Sequence, residues 1–325
     1  SMISAELLDK IDEYLKILRH SPLPFGNIQV ILCGDFYQLP PVGGEYCFKS
    51  RAWQQANLHI IHLQTLVRQE GDTEFQRILT EARNGILSEA SVARLKAKSS
   101  ENVFGEIEPT ILYSKNVDVD SINNAKYDEL VKDLIRKNGG KPLGKDKERC
   151  YYTTFSSDSA KTWAETLRIQ SFIHLCIGCQ VMLTVNLNTD LGLANGTRGV
   201  ITSLTDEGPV ICLKDGCQYL IQPYVLEYEG TDGNEEENES AKAEAEKEAY
   251  VTMIPLRLAY ALTIHKSQSA TLDAVVASLG CEIFEYGQAY TALSRVRDIS
   301  SLKVTDILAN SFQTHPDVVE FYKTF

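Results

Sequence analysis

IQVILCGDFYQLPPV, residues 28 to 42, is the stretch from which the fold is read. Ile28 to Leu32 is a short apolar run bounded by turn residues, the pattern of a strand buried on both faces of a parallel sheet. Gly34, Asp35 and Gln38 follow it on a backbone stiffened by Pro40 and Pro41. They sit at the carboxyl end of that strand, where open α/β sheets bind their ligands. An amide placed there can sense a terminal phosphate. Upstream, Leu7, Leu8, Ile11, Tyr14, Leu15 and Leu18 recur at helical spacing, with Ser4 as N-cap and Glu6 in the first turn. Downstream, the spacing predicts helices over 72–85 and 90–97, a buried strand over 110–113 and a helix over 118–137. After Gly139 the chain becomes strand-rich and turn-punctuated, with short strands expected over 180–185, 199–205 and 210–213. From Tyr250 the α/β pattern returns, with strands over 274–279 and 302–305 and a helix beginning at 288–294. The fold class read from this order is α/β, a parallel sheet interrupted by a small inserted β-barrel.

At 325 residues, with 43% hydrophobic and 23% charged, the chain has material for about two packed domains. No apolar run approaches the roughly 18 residues of a membrane span, and the first residues lack a basic region followed by an apolar core, so neither a span nor a signal peptide is expected. Eight cysteines scattered through a chain of this size favour free thiols in a reducing compartment. Cys176-x-x-Cys179 and Cys212-x4-Cys217 loosely suggest a zinc site, but the first pair lies in a strand-like run rather than a ligand loop. The net charge of −12 would argue against nucleic-acid binding if it were evenly spread. It is not: residues 229 to 248 carry nine acids and two lysines, more than half of the total, and read as a solvated loop or frayed helix. GGKPLGK at 139 to 145 has the Gly-x4-Gly-Lys frame of a phosphate-binding loop. It is followed by Asp146 instead of Ser or Thr and comes after a helix instead of a strand, so it reads as a basic surface turn.

GDFYQLPPV (34–42), LVRQ (66–69), LANGTRGVI (193–201), LTIHKSQSATLD (262–273) and YTALSRVRD (290–298) stand in one order along nearly the whole chain. Together they resemble the later motifs of the Pif family of superfamily 1 DNA helicases. The resemblance implies ATP and Mg2+ as cofactors, with Gln38 sensing phosphate, Arg68 meeting the γ-phosphate between two motor domains and Arg295 acting as arginine finger. A guanidinium fork suits that task because it binds phosphate oxygens bidentately. It further implies DNA contacts at Thr263, His265, Lys266, Ser267 and Gln268, and at Asn195, Gly196 and Arg198 in the turn of an SH3-like barrel. Asn-Gly is equally the commonest hairpin turn. The family usually has glycine where this chain has Ser269, so the turn there is less permissive. Expected domains are 1–65, the C-terminal part of a first RecA-like domain; 66–140 with 251–325, a second; and 141–250, the insert with its acidic loop at 229–249.

Family members carry Asp-Glu-x-Ser-Met in the magnesium loop, and this chain opens at Ser1-Met2, inside that motif. The Mg2+ carboxylates and the P-loop are thus expected to be missing, and the polypeptide alone is expected to hydrolyse little ATP. By resemblance the parent protein translocates 5′ to 3′ on single-stranded DNA and opens forked or structured DNA in the nucleus or mitochondrion, as a monomer. Two other readings stand beside this one: a truncated protein that holds single-stranded DNA or a partner without hydrolysis, and the related helicase of rolling-circle transposons.

Overall fold

Ser4 begins the ordered architecture: its hydroxyl accepts from the Leu7 N–H and starts α1 (Ala5–Leu18). A computed structural model of the chain describes residues 1–97, 108–228 and 249–324. Leu8 on the inner face of α1 packs with Phe25, Cys47 and Ala52, the last from α2 (Arg51–Ala56). Asp12, buried on the same helix, accepts from the Phe25 N–H at 2.6 Å and from Lys16. That pairing removes the cost of an unsatisfied buried carboxylate. α3 (Thr73–Arg83) starts at Asp72, which caps the Phe75 N–H, and α4 (Glu89–Ala97) follows. Next come β1 (Thr110–Tyr113) and α5 (Asn116–Lys137).

The chain divides into two units, residues 1–119 with 261–325 and residues 120–260. The second is built from antiparallel strands: β2 (Glu148–Tyr152), β3 (Thr154–Phe155), β4 (Phe172–Cys176), β5 (Gln180–Leu183), β6 (Arg198–Leu204), β7 (Pro209–Cys212), β8 (Gln218–Leu220), β9 (Tyr224–Tyr228), β10 (Ala249–Met253) and β11 (Leu256–Leu258). α6 (Asp158–Thr166), capped by Ser157, lies between β3 and β4. The strands form sheets ordered β11-β5-β6-β7-β8, β3-β10-β9 and β2-β4. One core gathers Leu175, Val181, Leu183, Ile201, Ile211 and Ile221, with Tyr127, Leu130 and Leu134 of α5 packed against it, while Val251 of β10 packs with Ala160 and Ala164 of α6 in a second. The acidic run at 229 to 248 lies outside the described residues.

The first unit then resumes with β12 (Ala261–Thr263), α7 (Ile264–Ser267), β13 (Val275–Leu279), α8 (Gln288–Leu293), β14 (Leu302–Ile307) and α9 (Pro316–Tyr322). Its sheet is wholly parallel, ordered β12-β1-β13-β14, with Leu112 opposite Leu262 on one side and Ala277 on the other. Every strand but β14 is short and mostly buried, as a parallel sheet covered on both faces requires.

One expectation is corrected. Residues 28 to 32 form no strand, and Ile31 is 79% exposed. A strand exists only where a neighbour completes its ladder, and no described segment pairs with this one. The loop after it is nonetheless firmly seated. Phe36 lies edge-on to Phe48 and Phe321 at 5.0 and 5.3 Å, and its N–H donates to the Tyr322 hydroxyl. Residues 139 to 145 form a mostly exposed turn, with Gly139 and Gly140 at positive φ.

Candidate functional site

Gly34, Asp35, Gln38, Arg68, Gln268 and Arg295 are far apart in sequence and line one cleft of about 410 Å³ in the first unit, together with Ser1 and Ser269. The cleft opens where the 34–38 loop meets the C-terminal side of the parallel sheet through α7 and the turn after α8.

Arg295 follows α8 and is 1% exposed. Its Nε donates to the Thr291 carbonyl at 2.8 Å, one Nη to the Ser267 carbonyl at 3.3 Å, and the other Nη to the Ser294 hydroxyl at 2.6 Å and to Gln38 Oε1 at 3.4 Å. Burial, reinforced by the charge of Arg68, pushes its pKa down to about 10. Arg68 is held by the Thr271 hydroxyl at 3.0 Å and the Ser294 carbonyl at 2.8 Å, and burial lowers its pKa too. The neighbouring Gln69 is buried and donates to the Val296 carbonyl at 2.6 Å. Two guanidiniums held mainly by neutral acceptors raise each other's energy, so an anion entering the cleft is drawn by both. The donor set fits a phosphate.

The carboxylate of Asp35 turns away from phosphate chemistry. It accepts from Arg83 at 3.3 Å, the Tyr37 N–H at 3.2 Å and the Tyr290 hydroxyl at 3.3 Å. Arg83, at the end of α3, also lies 4.0 Å above the Tyr37 ring and 5.3 Å from that of Tyr322. Gly287 approaches so closely that a Cβ there would meet the Tyr37 carbonyl at 2.3 Å. The Gln38 loop is thereby clamped between α3, α8 and α9. Arg83 and Tyr290 were not singled out from the sequence. Tyr290 stands inside a quoted motif, whereas nothing local marks Arg83 apart from a basic residue ending a helix.

Thr263 caps α7, its hydroxyl accepting from the Lys266 N–H at 3.2 Å. Thr263 and Ser267 are buried, and the Ser267 hydroxyl donates to the Ile264 carbonyl. Lys266 is exposed and His265 half-buried; burial lowers the His265 pKa against the opposing pull of Glu285. Gln268 donates to the Ser1 hydroxyl at 2.9 Å, while its Oε1 is buried beside the cleft with no hydrogen-bond partner among the described residues. Ser269 adopts φ +70°, the left-handed conformation that a glycine takes at little cost.

In the second unit Gly196, at φ +94°, turns the chain between β5 and β6, and exposed Asn195 is fixed by its N–H donating to Asn186 Oδ1. Arg198 opens β6 and donates to Gln180 Oε1 and to the Ala259 carbonyl. Among the described residues no three His, Cys, Asp or Glu side chains stand close enough to hold a metal ion, and no helix is long and apolar enough to cross a membrane.

A parallel sheet with an arginine-lined cleft beside it belongs to the class of α/β folds that bind ligands at the carboxyl ends of their strands. Residues 1–92 match the family described as PIF1-like helicase, and residues 168–204 match the 2B domain of the DNA helicase Pif1. The crystal structure of Pif1 helicase from Candida albicans superposes with a TM-score of 0.79 at 30% identity, covering all of this chain and 75% of that one. Pif1 helicase from Bacteroides, solved with ADP-AlF3 and ssDNA, gives a TM-score of 0.70 at 25% identity, covering all of this chain and 73% of that one. Human ATP-dependent DNA helicase PIF1 is 33% identical over 337 residues, covering the whole of this chain and 48% of its own length. The chain belongs to the Pif1 family of helicases. It spans about half the length of the curated vertebrate relatives it matches.

Proposed function

We propose that this chain provides the γ-phosphate side of an ATP site and part of a single-stranded DNA path in a 5′-to-3′ DNA helicase. The observation that carries the proposal is the convergence of Gln38, Arg68 and Arg295 on one cleft. Bound ATP supplies a terminal phosphoryl group whose charge grows during transfer. Arg68 and Arg295 are placed to balance that charge, and Gln38, already bonded to Arg295, senses whether it is present. The Ser267 and Ala270 carbonyls accept from Arg295, so a change at its guanidinium reaches α7 and Lys266 directly. Lys266 in the first unit and, independently, Asn195 and Arg198 in the second supply phosphate contacts that hold single-stranded DNA without reading its sequence. Slight hydrolysis by this polypeptide alone is part of the same proposal. The domain limits 1–65, 66–140 with 251–325, and 141–250, an SH3-like form for the insert, forked DNA as substrate, a monomeric state and a nuclear or mitochondrial setting are part of the same proposal.

Competition between ATP and ADP for a fluorescent nucleotide tests the reading. The wild-type chain prefers ATP, and Arg68→Ala lowers that preference by about tenfold or more, the loss expected for a charged hydrogen bond to phosphate. Equal affinity for the two nucleotides, with single-stranded DNA still bound, favours a non-hydrolysing binder instead.

A further inference from the structure

Cys176 and Cys179 take no part in the site described above, yet their sulfurs lie 3.2 Å apart in the core of the second unit, both 0% exposed. The separation follows from a tight turn. The Cys179 N–H donates to the Cys176 carbonyl at 3.1 Å, and Gly178 between them has φ +86°, as the third residue of a type II turn requires. A turn of this kind holds its end residues within the span that a disulfide needs. The Cys176 N–H points at Cys179 Sγ at 3.4 Å, the two thiols share a hydrogen bond in which either can donate, and the Tyr260 hydroxyl bonds to the Cys179 sulfur. The Tyr260 hydroxyl is in turn fixed by the Gln180 N–H at 3.2 Å. Hydrogen bonds from the Cys176 side, together with the Tyr260 hydroxyl, hold the Cys179 thiol below its ordinary range despite burial.

We infer that Cys176 and Cys179 form an oxidisable dithiol, a modification site at which a peroxide converts the β4–β5 turn into a disulfide-closed loop. Cys179, as thiolate, attacks one peroxide oxygen; the O–O bond breaks, a sulfenic acid forms and water leaves once protonated. Cys176 then attacks the sulfenic sulfur, the S–O bond breaks, its thiol proton goes to the departing hydroxide and a second water is released. Two thiols have lost two electrons and hydrogen peroxide has gained them. Cys33, Cys217 and Cys281 are exposed and meet peroxide sooner, but each lacks a second thiol at this distance among the described residues. Closing so short a loop favours the folded state by at most about twentyfold, through restriction of the unfolded chain.

Peptide mapping tests this on the unaltered protein. Trypsin releases residues 169–198 as one peptide, which contains Cys176 and Cys179 and no other cysteine. After native protein is treated with hydrogen peroxide, quenched and alkylated under denaturing conditions, that peptide is expected two hydrogens lighter and unalkylated. Dithiothreitol before alkylation restores two reactive thiols. Cys176→Ser and Cys179→Ser each abolish the lighter species. The inference is overturned if the peptide emerges doubly alkylated at peroxide levels that consume Cys281, if it carries only sulfinic acid, or if the disulfide forms only after the protein has been unfolded.

Discussion

Replacing Arg83 with Met probes the clamp on the Gln38 loop, because methionine keeps a long apolar stem and removes the guanidinium. Two interactions disappear. The contact with Asp35 joins side chains that are 25% and 21% exposed, and Asp35 keeps the Tyr37 N–H and the Tyr290 hydroxyl, so the loss falls just below the usual range for a charged hydrogen bond, about 1 kcal/mol. Lifting the cation from the Tyr37 and Tyr322 rings removes about 0.5–1 kcal/mol more. A total of about 1.5–2 kcal/mol, if it acts locally, raises opening of the loop about 10- to 30-fold. Hydrogen exchange read at the amides of residues 36 to 38 is the assay. Gln38 is the most informative position, since its N–H donates to the Asp35 carbonyl at 3.1 Å. Protection at β1 and β13 should be unchanged, and Arg83→Lys should restore part of the loss because it keeps the ion pair while giving up the planar stack. If the loop amides of Arg83→Met exchange within threefold of wild type, the clamp resides in the Gly287 approach and the Tyr322 hydroxyl, and Arg83 has no positioning role.

Ser269→Gly should stabilise the protein by about 0.5–1 kcal/mol in urea denaturation, since relief of the left-handed strain exceeds the added backbone entropy of glycine; a loss of stability would show that Ser269 is held there by a compensating contact. Single-stranded oligonucleotide binding across a salt series should weaken with salt, and Lys266→Ala and Arg198→Ala should each lower the log–log slope by about one contact. Unchanged slopes would remove those residues from the DNA path. The folded-state pKa of His265 is depressed below its 6.5 reference, so the unfolded chain takes up the proton first as pH falls. The stability this group contributes is fully present above pH 6.5 and is lost as pH drops through the lower, folded-state pKa. Unfolding midpoints between pH 5 and 8 should therefore fall less steeply on acidification for His265→Asn than for wild type.

Much of the architecture is local information and is visible in the chain. Ser4 caps α1 as its position before a helical apolar pattern implies, and β1, β13 and α8 fall within a residue or two of their expected limits. The left-handed turn at Ser269 was foreshadowed by the glycine that the family usually places there. The apolar run at 28 to 32 forms no strand because burial belongs to a strand's surroundings: an apolar pattern states what a segment could bury, and pairing requires a second segment.

The site divides in the same way. The resemblance to the Pif family singles out Gln38, Arg68 and Arg295 in the sequence, and the structure brings the three to one cleft. Only the tertiary structure decided that Thr263 and Ser267 use their hydroxyls inside the turn, that Asp35 turns to Arg83 and Tyr290, and that Ser1 borders the cleft. Asp35 and Tyr290 are 255 positions apart and Gln38 and Arg295 are 257 apart. Helix and strand periodicities encode neighbours a few residues away, whereas contacts at such separations arise only when distant elements pack, and their geometry is settled by that packing.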